Sequence, residues 1–132
     1  MGETDVTRRA EGPGWHTGRV AWLVSEARVL ASAEVADDRR ARRRGLLGRD
    51  SLDGALVLSP CSWVHTIGMR FDLDVAHVDA DGTVLRTTRM ARNRVGRPVP
   101  GARTVIEASA GAFERWGLHT GDLIEIRRTA PE

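Results

Sequence analysis

Short alternations of apolar and polar residues dominate the chain, and they predict strands. Arg19 to Val24 (R-V-A-W-L-V) and Arg28 to Val35 (R-V-L-A-S-A-E-V) carry Trp22, Val24, Val29 and Leu30, residue types that suit a pleated, half-buried surface. The bend between them falls at Ser25-Glu26-Ala27. A helix across this stretch is the competing reading, because Ala, Glu and Leu are frequent in it. Ala55 to Leu58 is a short apolar run after the turn signal Asp53-Gly54, and Pro60 ends it because proline cannot donate to a ladder. Trp63 to Thr66 reads as a further short strand. Leu73 to Val78 and Thr83 to Met90 read as a hairpin across Asp79-Ala80-Asp81-Gly82, where Gly82 can take positive φ. Arg103 to Ala108 and Leu123 to Arg127 complete the strands, with Ile124 and Ile126 on one face of the last.

Two short helices interrupt this pattern. Asp37 is placed as an N-cap, with Asp38 in the first turn of a helix to Arg44, and Gly45 stops it. The late arginines suit the negative end of the helix dipole. Leu46 and Leu47 would then anchor the turn to the core. Further on, Ser109 could cap a helical turn that puts Phe113 and Trp116 on one face, with Gly117 closing it. Arg92 to Gly101 holds two prolines and two glycines and reads as a loop. Residues 1–18 and 129–132 read as loose tails, although Trp15 and His16 could dock on the body. The expectation is a single domain over residues 19–128. Its fold class is α+β, mainly β: a mostly antiparallel curled sheet, barrel or sandwich, with two short helices.

Composition narrows the chemistry. The 132 residues are 41% apolar, enough for a single core and too apolar for a disordered chain. All twenty basic residues are arginine, which excludes a Schiff-base lysine and a phosphate loop with its lysine. Genomic bias is the favoured explanation of that preference over function. The net charge is only +2, but it is unevenly spread. Arg39, Arg40, Arg42, Arg43, Arg44 and Arg49 form one run, and six arginines with no carboxylate lie between Gly82 and Ile106. Such clusters attract phosphate, acidic protein or anionic lipid, or they are simply solvated faces. One cysteine permits no internal disulfide and suits a reducing compartment. No apolar run reaches the length of a membrane span, and no signal peptide opens the chain. The expectation is a soluble, cytoplasmic protein, monomer or weak dimer.

Four pieces line up in order: R-x-x-G-L-L-G-R from Arg42 to Arg49, H-T-I-G-M-R-F-D-L-D-V from His65 to Val75, V-D-A-D-G-T-V from Val78 to Val84, and V-I-E-A-S-A-G-A-F-E-R-W-G-L-H-T-G-D from Val105 to Asp122. Together, over about residues 28 to 127, the chain resembles the DUF192 family, a set of small domains of unknown function. Many members carry W-M-K-N-T before the hairpin. Here His65, Thr66, Ile67, Gly68 and Met69 occupy those positions, as in a variant branch with a Cys-x-x-x-His preface at Cys61. The pieces that fit the common pattern are Leu73-Asp74, Gly45-Leu46, and Glu107 with Gly111 and Gly121-Asp122. The resemblance implies a compact β-rich domain and no established enzymatic activity.

Several chemistries compete at the stretch from Cys61 to Gly82. Cys61, His65 and Met69 lie four apart and His77 follows on a strand, a soft set that suits Cu(I) or zinc. Pro60 and Gly68 argue against one continuous helix there, and no paired Cys-x-x-Cys supports a metal, so no metal or other cofactor is expected. Cys61, His65 and Asp72 or Asp74 could form a nucleophile, base and orienter, but no glycine-rich elbow accompanies them. Asp72 and Asp74 share a strand face and could split as acid and base. The favoured role for Asp74 is structural: accepting from Arg44, Arg49 or the backbone donors of the helix turn, it would lock helix to sheet.

The leading expectation is a non-enzymatic binding module for a small anionic ligand or an acidic protein partner. Its candidate ligand-binding residues are His65, Thr66, Met69, Arg70 and Asp74, edged by Arg44, Arg49 and Arg94. The runner-up is a hydrolase-like or other enzyme on a small polar substrate, with His65 as base and an aspartate orienting it. A third reading is an accessory protein of a secretion or pilus apparatus. Nucleic acid is disfavoured, because the chain has no tyrosine and two phenylalanines for stacking.

Overall fold

A computed structural model of the protein describes residues 19–128. The two expected tails, with Trp15 and His16, lie outside the described residues. Seven strands form one sheet in the order β5-β4-β6-β3-β2-β1-β7. They are β1 (Arg19–Ser25), β2 (Arg28–Ala36), β3 (Ala55–Leu58), β4 (Leu73–Val78), β5 (Val84–Met90), β6 (Thr104–Ser109) and β7 (Glu125–Arg127). The helices are α1 (Arg39–Arg44) and α2 (Ala112–Trp116).

The strand reading of the first stretch holds. Glu26 and Ala27 take positive φ, 51° and 65°, the twist that a two-residue hairpin loop needs. The sheet is mixed, and this differs from a purely antiparallel plan. β2 and β3 pair in parallel, because α1 lies in the crossover between them and returns the chain to the same end. Every other pair is antiparallel.

Two apolar clusters occupy the two faces of the curled sheet. Leu23, Val35, Val57, Val78, Val84, Ile106 and Ile124 fill the concave side. The sheet ends meet where Thr83 bridges Leu123 and the Ile124 N–H donates to the Gly82 carbonyl at 2.7 Å. A Cβ on Gly82 would lie 2.6 Å from the Ile124 carbonyl oxygen, so glycine is required at the closure. The convex side carries Leu46, Leu56, Leu58, Val64, Met69, Leu73, Val75 and Val105, covered by α1 and the segments around it.

Local predictions need four corrections. The cap of α1 is Asp38, which accepts from the Ala41 N–H at 2.7 Å, and not Asp37. The reason is that the extended backbone at Asp38 aims its carboxylate along the first turn. Replacing Asp38 with alanine is expected to cost about 1 kcal/mol in urea denaturation, the usual value of one such cap. Leu46 is buried but Leu47 is 40% exposed, since successive residues after the helix point opposite ways. Trp63 to Thr66 is no strand; only His65 makes a bridge, to Val95. Ser109 does not cap α2. Its hydroxyl donates to the Leu52 carbonyl at 2.9 Å and so ties a loop to β6.

Candidate functional site

Position 107 on β6 lies between Leu56 of β3 and Val75 of β4, both fully buried on the convex face. Strand alternation therefore points Glu107 into hydrocarbon, beside Val105 on the same face. Its side chain is 5% exposed. Among the described residues no hydrogen bond or ion pair involves its carboxyl. Loss of water around it pushes its pKa from 4.5 up to about 7, because desolvation penalises the charged form.

Over this carboxyl, α1 and the segment from Pro60 to Met69 leave a cleft of about 360 Å³. Arg39, Arg42, Arg43 and Arg44 line one side, and Leu46, Leu58, Val64 and Met69 make apolar walls. Cys61, Trp63, His65 and Ile67 line the other side. Arg42 is fixed by donating to the Asp37 and Ser59 carbonyls at 2.8 and 3.3 Å. Trp63 is pinned by its indole N–H, which donates to Gly96 O at 2.8 Å. An apolar hollow with a few convergent polar groups and one strongly perturbed acid is the ordinary form of a small-molecule site.

The expected site residues are dispersed. His65, Met69 and Arg44 line this cleft. His65 is exposed and tilts against Trp63, ring centres 5.6 Å apart. Its Nδ1 accepts from the Ile67 N–H at 3.2 Å. Thr66 is not a ligand donor. It is wholly buried, donating to Ala91 O at 2.6 Å and accepting from Arg94 N at 2.8 Å, and it thereby anchors the loop after β5. Arg70 is exposed and pairs with Asp50 at 3.1 Å, off the cleft. Arg49 is buried and forms a two-pronged pair with Glu34, 2.8 Å on each prong. Arg94 lines a different groove.

Asp74 also turns inward, on the opposite face from Glu107's neighbour Val75. One carboxylate oxygen accepts from the Gly111 and Phe113 N–H groups at 2.9 and 3.1 Å, and the other from Arg89 Nε at 3.1 Å. The structural role expected for Asp74 therefore holds, with backbone donors of α2 and Arg89 in place of Arg44 or Arg49. Asp72 precedes the strand, is exposed, and accepts from the Arg92 N–H, so the two aspartates do not work as a pair.

The other chemistries find little geometry. The Cys61 thiol donates to Trp63 O at 3.3 Å. Burial, and then the nearby Glu107 charge, raise its pKa, which is the reverse of an activated nucleophile. Among the described residues no hydrogen bond joins His65 to an aspartate, and no group of three or more His, Cys, Asp or Glu could hold a metal ion. His77 lies away from Cys61, in the groove that holds Arg94.

Glu107 is the residue that sequence reasoning passed over as a site. An acid alternating with apolar residues in V-I-E-A was its signal, visible only once the face that Val105 uses is known to be interior.

Comparison with known proteins bears on the fold. The DUF192 family model, described as an uncharacterized ACR, matches residues 22–126. No curated protein matches the chain. A protein of unknown function from Novosphingobium aromaticivorans DSM 12444 shares its fold at TM-score 0.65 and 19% identity, over 80% of this chain and 83% of that one. A protein from Sinorhizobium meliloti 1021, described as a "putative transcription regulator", is similar at TM-score 0.68 and 21% identity, over 87% of this chain and 98% of that one. Both likenesses concern the fold alone.

Proposed function

The chain belongs to the DUF192 family, and on that premise we propose that it is a non-enzymatic binding module for a small anion with an apolar body, held in the cleft above Glu107. The observation that carries the reading is Glu107, a mostly buried acid with a raised pKa lining the floor of an arginine-lined cleft with apolar walls. Guanidinium groups would take the anionic end in forked hydrogen bonds. The apolar body would lie along Leu46, Leu58, Val64 and Met69. Glu107, with its pKa raised to about 7, is largely protonated below neutral pH, and in that form would not repel the anion and could donate one hydrogen bond. Cys61 and His65, the ends of the Cys-x-x-x-His preface, both line this cleft.

The second reading is an acidic segment of a protein partner, with or without a place in a secretion or pilus assembly. Trp63, Ile67 and Leu47, 41%, 51% and 40% exposed, lie on the lip of the cleft, and apolar side chains ringed by arginine suit such a contact. In either case the chain acts as a cytoplasmic monomer or weak dimer. No helix among the described residues is long and apolar enough to cross a membrane.

Calorimetric titration with octanoate tests the first reading. Saturable binding is expected, weakened about tenfold, or ~1.4 kcal/mol, in the double variant Arg39→Ala, Arg43→Ala. Octylamine should not compete. Unsaturable heats, or equal affinity in the double variant, would end this reading.

A further inference from the structure

We propose that the groove between the outer face of β5 and the loop 91–99 is a second binding site, built for the phosphoryl group of a small molecule, with Arg86, Arg94 and Arg97 as its clamps and His77 on its floor. The groove measures about 370 Å³ and is separate from the cleft above Glu107.

His77 is the first observation. It stands on β4 directly opposite Arg86 on β5 and Val105 on β6. It is 5% exposed, and both ring nitrogens are buried without a hydrogen-bond partner among the described residues. A neutral imidazole keeps one donor and one acceptor whichever tautomer it adopts. An apolar residue of similar volume would fill the position without leaving either group unmet. The ring therefore calls for a partner that the polypeptide does not supply, and His77 lines a groove that could admit one.

The second observation is charge. Arg86, Arg94 and Arg97 line the groove, and no acidic residue does. Among the described residues none of the three has a carboxylate partner, whereas neighbouring Arg89 and Arg92 are paired with Asp74 and Asp72. Three guanidinium groups without countercharge favour a dianion over a single carboxylate. Their planar forks match the oxygens of a phosphoryl group. Thr88 also lines the groove, and Met90 and Val99 offer a modest apolar wall.

The site is held in shape before anything binds. The Gly96 N–H donates to Val64 O at 3.0 Å, and a Cβ there would come within 2.7 Å of that oxygen. Thr66 ties down Ala91 and Arg94 from below. Arg94 and Arg97 thus extend from a loop with little freedom to lose on binding. Burial, helped by the adjacent Arg86 charge, lowers the His77 pKa, so the ring is neutral and keeps a single N–H for the ligand.

Titration of the isotopically labelled full chain with inorganic phosphate, at constant ionic strength, tests the site by NMR. Saturable shifts of the His77 ring and of the Arg94 and Arg97 amides are expected. The double variant Arg94→Ala, Arg97→Ala should weaken binding at least tenfold, and His77→Phe should weaken it severalfold while retaining the fold. Tighter binding of glycerol 3-phosphate than of phosphate would assign a phosphomonoester, and the reverse would assign the free ion; both uphold the site. Shifts that chloride reproduces, or affinity unchanged in the arginine variant, would overturn it. So would a single-stranded oligonucleotide that binds far more tightly and with a steep salt dependence, since that marks a polyanion surface.

Discussion

Replacing Asp74 with alanine is expected to remove about 3–4 kcal/mol of folding stability, measured by urea denaturation. The carboxylate is 4% exposed and meets two N–H groups at the start of α2, the part-buried one of Gly111 and the buried one of Phe113. Gly111, at the cap position, has no side chain to take over. Alanine would leave both donors without an acceptor inside the domain, and the full desolvation penalty of the buried Phe113 N–H falls on the folded state, with a smaller one for the part-buried Gly111 N–H. It would also loosen Phe113 and Ala112, which α2 carries into the concave core. Arg89 contributes far less. Its side chain is 59% exposed, so Arg89→Ala should cost less than about 1 kcal/mol. Equal losses for the two variants would show that the ion pair, and not the backbone cap, holds α2.

The second large effect is a dependence on pH created by Glu107. Below about pH 4.5 the carboxyl is protonated in both the folded and the unfolded chain, and the full stability is present. Between there and about pH 7 the unfolded chain gives up the proton while the folded chain retains it. Stability therefore falls as pH rises through that window, and the loss is complete above it. The displacement from 4.5 to about 7 corresponds to roughly 3 kcal/mol. Glu107→Gln removes the charge and should flatten the curve. The variant is expected to exceed the parent by about 3 kcal/mol near pH 8.5 and to differ from it by less than about 1 kcal/mol near pH 4. A gap of the same size at both pH values would mean that the amide repacks the site instead of relieving a buried charge.

Much of the fold was legible because strand patterning is local. The hairpin of β4 and β5, the short run of β3 and the bend at Glu26-Ala27 all follow from residues within one turn of each other. The parallel pairing of β2 with β3 was harder to see, since it depends on where α1 docks and not on any strand's own sequence. The site was harder still. Arg49 was expected near Asp74 and instead meets Glu34, because both reach the convex face, whereas Asp74 faces the concave one. Thr66 reads as a polar group available to a ligand, yet its hydroxyl is consumed by Ala91 and Arg94. Which polar residues are spent on the chain itself depends on contacts across dozens of positions. Glu107 and His77 stand out for the opposite reason: the His77 ring nitrogens are buried without a partner among the described residues, and Glu107 is a mostly buried acid that lines a cleft.

The most direct test follows the Glu107 side-chain carboxyl carbon by NMR between about pH 4 and pH 9, with and without octanoate. A midpoint near 7 in the free chain, moving upward when octanoate occupies the cleft and excludes more water, is the predicted result. A midpoint near the ordinary 4.5, or one that octanoate leaves in place, would contradict it.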